Sequence, residues 1–207
     1  GDIIHAMIVL QFIKKYNIEI SIDWFIENRY KELVESNPHI NQVHLINLNK
    51  AKQEKSFSIL FNELKKVRKL DNYDLVIDMQ GLIKSALLAR LIPSKVTLGF
   101  DNRSSREPLA SFFYNKTFSS DYKRNIVERN MEIVKFALGL STNLDNIYYK
   151  LPFLIPSKRY SFKNLSQIKK NIVLVPGAST KSKRYPVKNL ASITKQIDAN
   201  FIIIWGN

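Results

Sequence analysis

Apolar residues recur along this chain with two periods, and the change from one to the other marks the elements. Ile3, Ile4, Met7, Ile8, Leu10, Phe12 and Ile13 predict a mostly apolar helix packed on a sheet. Ile18, Ile20, Ile22, Trp24 and Ile26 alternate as a strand. A short helix is expected over Tyr30 to Val34, stopped by Asn37-Pro38, and then a strand over Val43 to Ile46. Polar Asn49 to Lys55 reads as a loop, and Phe57 to Leu70 as a helix with Leu60, Phe61, Leu64 and Val67 inward. Tyr73 to Asp78 is a short apolar run of the kind buried in a parallel sheet; Met79-Gln80-Gly81 turns the chain, and helical spacing resumes from Leu82 to Leu91. Val96 to Gly99 predicts a strand, Ser105 to Tyr114 a helix with Pro108 in its first turn, and Ile126 to Leu138 a helix ended by Gly139. After a less periodic stretch the pattern restarts with strand Ile172 to Val175, loop Pro176 to Pro186, helix Val187 to Ile197 and strand Phe201 to Trp205.

Strands alternating with helices predict an α/β fold with parallel sheets. The expected division is a first doubly wound unit over 1–150, a linker over 151–170 and the start of a second unit over 171–207. The chain opens at Gly1-Asp2 directly on a helical pattern and closes on a strand reaching its turn, so it reads as part of a longer protein lacking an N-terminal strand.

An apolar content of 45% over 207 residues supports a sizeable core. The absence of cysteine excludes disulfides and thiolate metal sites, which fits a reducing compartment. No apolar run approaches the roughly 20 residues that span a bilayer. The formal charge of +14 has two readings, solvated lysine-rich surface or an acidic partner such as nucleic acid, anionic lipid or a phosphorylated substrate.

Ligands of open α/β sheets bind beyond the carboxyl ends of the strands, where Asp78 and Gln80 fall. Four groups could carry chemistry there. Asp2 either caps its helix or stands as a carboxylate available for general-base work. Arg106, in the first turn of the expected Ser105–Tyr114 helix, opposes the helix dipole; it either pairs with Glu107 or Asp101 or grips an external anion in two-pronged fashion. Pro176-Gly177-Ala178-Ser179-Thr180-Lys181-Ser182-Lys183 combines small residues, hydroxyls and lysines after a strand, which suits a phosphate but lacks both P-loop and GxGxxG spacing. Lys50, Lys52 and Lys55, with Lys65, Lys66, Arg68 and Lys69, are solvated surface or an attractor for an anionic substrate.

Gly1-Asp-Ile-Ile-His, Tyr73-Asp-Leu-Val-Ile-Asp-Met-Gln-Gly-Leu-Ile-Lys-Ser and Arg106-Glu-Pro-Leu-Ala-Ser-Phe-Phe-Tyr-Asn, in this order, resemble the lipopolysaccharide heptosyltransferase I family, and Pro176-Gly-Ala-Ser with Lys183-Arg-Tyr-Pro fits it too. The resemblance implies a GT-B glycosyltransferase of family 9: two Rossmann-like doubly wound parallel sheets facing across a cleft, the second truncated here. It implies an inverting, metal-free and cofactor-free enzyme that moves heptose from ADP-heptose to a Kdo hydroxyl of Kdo-lipid A, as a monomer at the cytoplasmic face of the inner membrane of a Gram-negative bacterium, in peripheral contact with that membrane and without nucleic acid. Asp2 matches the family's catalytic base. Arg106 and Arg129 match residues that meet the acidic acceptor, with Gln80, Lys50 and Lys52 expected on the same side. Lys183, Ser179 and Ala178 match the donor-phosphate contacts.

The match has departures. Tyr185 stands where the family usually has tryptophan, the Lys50–Lys55 tip aligns poorly, and the donor-holding Asp-Ser/Thr-Gly-x-x-His segment is absent. Alone, this chain is therefore expected to show little or no transfer. Two other readings remain open at this point: heptosyltransferase II or another nucleotide-sugar transferase of the same fold, and a non-catalytic basic module that binds nucleic acid.

Overall fold

The computed structural model describes residues 2–140, 150–156, 162–178 and 180–204, with the Lys52 side chain excepted. The chain divides into two compact units, residues 1–157 and 158–207. In the first, α1 (Asp2–Tyr16) precedes β1 (Asp23–Glu27), β2 (Gln42–Ile46), α2 (Leu48–Gln53), α3 (Phe57–Arg68), β3 (Tyr73–Asp78), α4 (Ile83–Leu91), β4 (Ser94–Phe100), β5 (Lys116–Phe118) and α5 (Ile126–Leu138). The second holds β6 (Asn171–Leu174), α6 (Val187–Gln196) and β7 (Asn200–Ile203).

Every strand pairing is parallel: β1 with β2, β3 with β4 and β4 with β5, and β6 with β7. The expected α/β class is thus observed. Helix α1 is apolar nearly all round because it is covered on two sides. Met7 and Leu10 pack with Ile26 and Val34, while Val9 and Ile13 pack with Met131 and Val134 of α5. Ile46, Val67, Leu88 and Ile92 join β2, α3 and α4, with Phe25 and Val76 packed against them. The β1–β2 pair is also tied to β3 by polar groups: Tyr73 donates its hydroxyl to Asp23 Oδ2 at 2.6 Å, and His44 Nε2 lies 3.1 Å from both.

Several local expectations are corrected. The 28–33 segment is a 3-10 helix rather than an α-helix. The alternating run before Trp24 is strand only from Asp23; Ile20 and Ile22 are apolar because they pack on α1 from a loop. Residues 48–53 form α2, not a loop, because the N–H of Asn49 is taken by the Glu27 carboxylate at 3.1 Å. On α3 only Leu64 and Val67 turn inward. Leu60 and Phe61 are exposed, and the buried place on that side goes to Glu63, which accepts the N–H of Asn47. Ser105 to Tyr114 is not an α-helix: a 3-10 helix runs over Pro108–Phe113, and Ser105 donates its hydroxyl to the Phe100 carbonyl instead of capping. Strand β5 follows it and had no sequence signal beyond three residues. Helix α5 is as expected, capped by Asn125 and closed by Gly139 in the left-handed region.

Candidate functional site

Strand β3 ends at Asp78, and the chain must then reverse within four residues to start α4 at Ile83. Gly81 makes this possible at φ +63, and a side chain there would press on the backbone of Ser105 and Arg106. Asp78 itself is buried. Its carboxylate accepts hydrogen bonds from the Gln80 N–H (2.8 Å), the Ser85 hydroxyl (2.7 Å) and the Tyr114 hydroxyl (2.9 Å). Burial pushes its pKa up, and these hydrogen bonds oppose that. Asp78 is therefore a brace for the turn rather than a group offered to a ligand. Gln80, two residues on, is exposed.

The turn is fastened to the loop after β4. The Glu107 N–H donates to the Gly81 carbonyl at 2.9 Å, and the Glu107 carboxylate accepts the Ile83 N–H at 2.7 Å, supplying the missing cap of α4. Asp101 holds the loop's other end by accepting the N–H groups of Arg103 (3.1 Å) and Ser104 (2.8 Å). Between these anchors Arg106 projects into solvent, and its Nη1 lies 3.5 Å from Asp2 Oδ2 at the start of α1. Both side chains are more than half exposed. Arg106 precedes the 3-10 helix, so the expected conflict with a helix dipole does not arise.

Arg129 stands differently. It is only 5% exposed. Its Nη2 donates to the Ser104 carbonyl, and its guanidinium lies over the rings of Phe100 (4.6 Å) and Tyr122 (4.9 Å). Burial lowers its pKa. The expected contact with an acidic acceptor is corrected on this point: the guanidinium pins the Arg106 loop from behind instead of reaching solvent. Its Nε is buried without a partner.

Lys50 is exposed on α2 and lies 3.9 Å from Glu54. The Lys52 side chain lies outside the described residues. In the second unit, Arg184 Nε donates to the Ala178 carbonyl at 3.0 Å, and Lys181–Lys183 forms one turn of exposed 3-10 helix. Lys183 is exposed there, and Ser179 falls outside the described residues. Asp2 and Arg106 thus come together, Gln80 sits on the adjoining turn, and Ala178 and Lys183 share a separate loop. Sequence reasoning missed Glu107, Ser85 and Tyr114 as the supports of Arg106. The available signal was a glycine, Gly81, followed by apolar Leu82 where a helix start would ordinarily carry a polar cap.

Comparison with known proteins follows the same lines. The model of glycosyltransferase family 9 (heptosyltransferase) matches residues 60–207. Lipopolysaccharide heptosyltransferase 1 of Campylobacter coli is 34% identical, covering 100% of this chain and 62% of its own length. Its counterpart in Escherichia coli K12 is 31% identical over 68% of this chain and 45% of its own length. The chain therefore spans less than two thirds of the curated relatives it matches. Among solved structures, E. coli heptosyltransferase WaaC with ADP superposes with a TM-score of 0.77 at 24% identity, covering 100% of this chain and 65% of that one. E. coli ADP-heptose lps heptosyltransferase II gives 0.60 at 20% identity, covering 98% and 60%. At these identities the solved structures speak for the fold.

Proposed function

This chain belongs to glycosyltransferase family 9, and from that premise we propose that it is part of a heptosyltransferase I acting on the lipopolysaccharide inner core. The observation that carries the reading is the exposed Asp2–Arg106 pair, 3.5 Å apart, beside the Gly81 turn at the carboxyl end of β3. Arg106 engages an acid group of the Kdo acceptor. Asp2 takes the proton from the attacking Kdo hydroxyl as that oxygen bonds to the anomeric carbon of heptose. The bond from that carbon to ADP breaks, the configuration inverts, and ADP leaves with the bonding electrons. Lys183, and Ser179 with the backbone of Ala178, meet the diphosphate and offset the charge that develops on it. Gln80 and Lys50 border the acceptor, and Arg129 serves it indirectly by holding the loop of Arg106. The enzyme works as a monomer at the cytoplasmic face of the inner membrane, touching it peripherally, and needs no metal.

In a complete transferase carrying this chain, Asp2→Asn is expected to lower transfer from ADP-heptose to Kdo-lipid A by about 10²–10⁴-fold while acceptor binding persists. A near-normal rate would sink the mechanism. Thermal stabilisation by ADP-heptose and not by UDP-sugars separates this reading from other nucleotide-sugar transferases of the same fold.

A further inference from the structure

Three elements of the first unit lie side by side and leave an unusual surface. Helix α3 packs on α4 through Val67 and Leu88, and α4 packs on the Pro108–Phe113 helix through Ala86 and Ala110. Each turns large apolar side chains outward. On α3, Phe57 (85% exposed) and Phe61 stand four residues apart, with Leu60 beside them. On α4, Ile83 and Leu87 repeat that spacing. On the 3-10 helix, Leu109 and Phe112 (81% exposed) are three apart and share one side.

The charge on this row is predominantly positive. Lys65, Arg68 and Lys69 continue the exposed side of α3, and Lys84 and Arg90 that of α4. Of the acids within the row, Glu63 is buried against Lys66 and the Asn47 N–H, while Glu107 is exposed with one oxygen accepting the Ile83 N–H. Among the described residues, exposed cations on this row outnumber exposed carboxylates, so a partner rich in anions fits it better than one of ordinary composition. A surface with acidic headgroups above an apolar interior matches aromatics and cations together.

We propose that the row formed by α3, α4 and the Pro108–Phe113 helix rests on an anionic lipid bilayer, with Phe57, Phe61 and Phe112 inserted among the headgroups. This deepens the proposed function, since Arg106 lies just before the 3-10 helix and would then sit next to the surface that carries a lipid-linked acceptor.

The test is co-sedimentation of the 207-residue chain with vesicles of phosphatidylcholine alone and of phosphatidylcholine with phosphatidylglycerol. The chain is expected to bind the anionic vesicles preferentially and to release as salt rises. The triple variant Phe57→Ser, Phe61→Ser, Phe112→Ser should lose about tenfold or more in partition, as should Lys65→Glu with Lys69→Glu. Ile168→Ser, altering an equally exposed residue of the other unit (96%), should bind as the parent does. Unchanged circular dichroism and melting would show that the variants fold. Equal binding to both vesicle types, wild-type partition by the triple variant, or a preference for RNA that survives the triple variant overturns the proposal. The two readings fail separately: a variant that loses vesicle binding should still transfer heptose, within a complete transferase, to a soluble Kdo-bearing acceptor, whereas Asp2→Asn should bind vesicles normally.

Discussion

At the scale of single residues, the site depends on a side chain that never reaches it. Tyr114 closes over Gly99, whose missing Cβ leaves the room the ring occupies, and its hydroxyl ends on Asp78. Burial and the Asp78 carboxylate both raise the Tyr114 pKa, so the hydroxyl stays a donor. Gly99→Ala would overlap the ring, and chemical denaturation should show a loss of about 1–3 kcal/mol. Tyr114→Phe leaves a buried carboxylate short of one hydrogen bond and should cost about as much. Both should also loosen Arg106, because Asp78 holds the turn to which Glu107 binds. None of this was legible from residue types alone. Its place in the sequence puts Asp78 at the edge where ligands bind; only its three partners show it as a brace.

At the scale of elements, polar groups join the β1–β2 pair to β3. Burial alone would raise the Asp23 pKa, but hydrogen bonds from Tyr73, His44 and Asn41 outweigh it and hold the value below the ordinary 3.8. The folded state therefore binds this proton less readily than the unfolded chain does. The stability Asp23 contributes is complete above about 3.8 and is lost as pH falls through its lower folded value. Asp23→Asn should weaken the fold by about 1–3 kcal/mol at neutral pH and flatten the acid limb of a stability-against-pH curve. An unchanged acid limb would show that the join does not depend on this charge. Helix α2 makes a related point: its sequence is polar enough for a loop, and it is a helix because Glu27, from another element, accepts the N–H of Asn49 in its first turn.

At the scale of the whole molecule, the two units differ in how much they bury. In the first, β4 is shielded by Ile133 of α5 and by Leu75 and Ile77 of β3. In the second, Val173 and Ile203 remain more than half exposed on a two-stranded sheet, as does Val175 just past β6. Local opening follows burial. Amide exchange followed by mass spectrometry should therefore be slowest over β3–β4 and fastest among strands over β6–β7; comparable protection in both would contradict this account.

The sequence by itself determined the parallel α/β class, most of its strands and helices, and the Gly81 and Gly139 turns. These follow from periodicity and from backbone angles that only certain residues tolerate, both of which act locally. Tertiary structure decided what each polar side chain is for. Arg106 and Arg129 are the same residue type, yet one faces solvent beside Asp2 and the other lies over two rings beneath Ser104. The difference comes from which neighbours, distant in sequence, remove water from the group, and no local pattern carries that information.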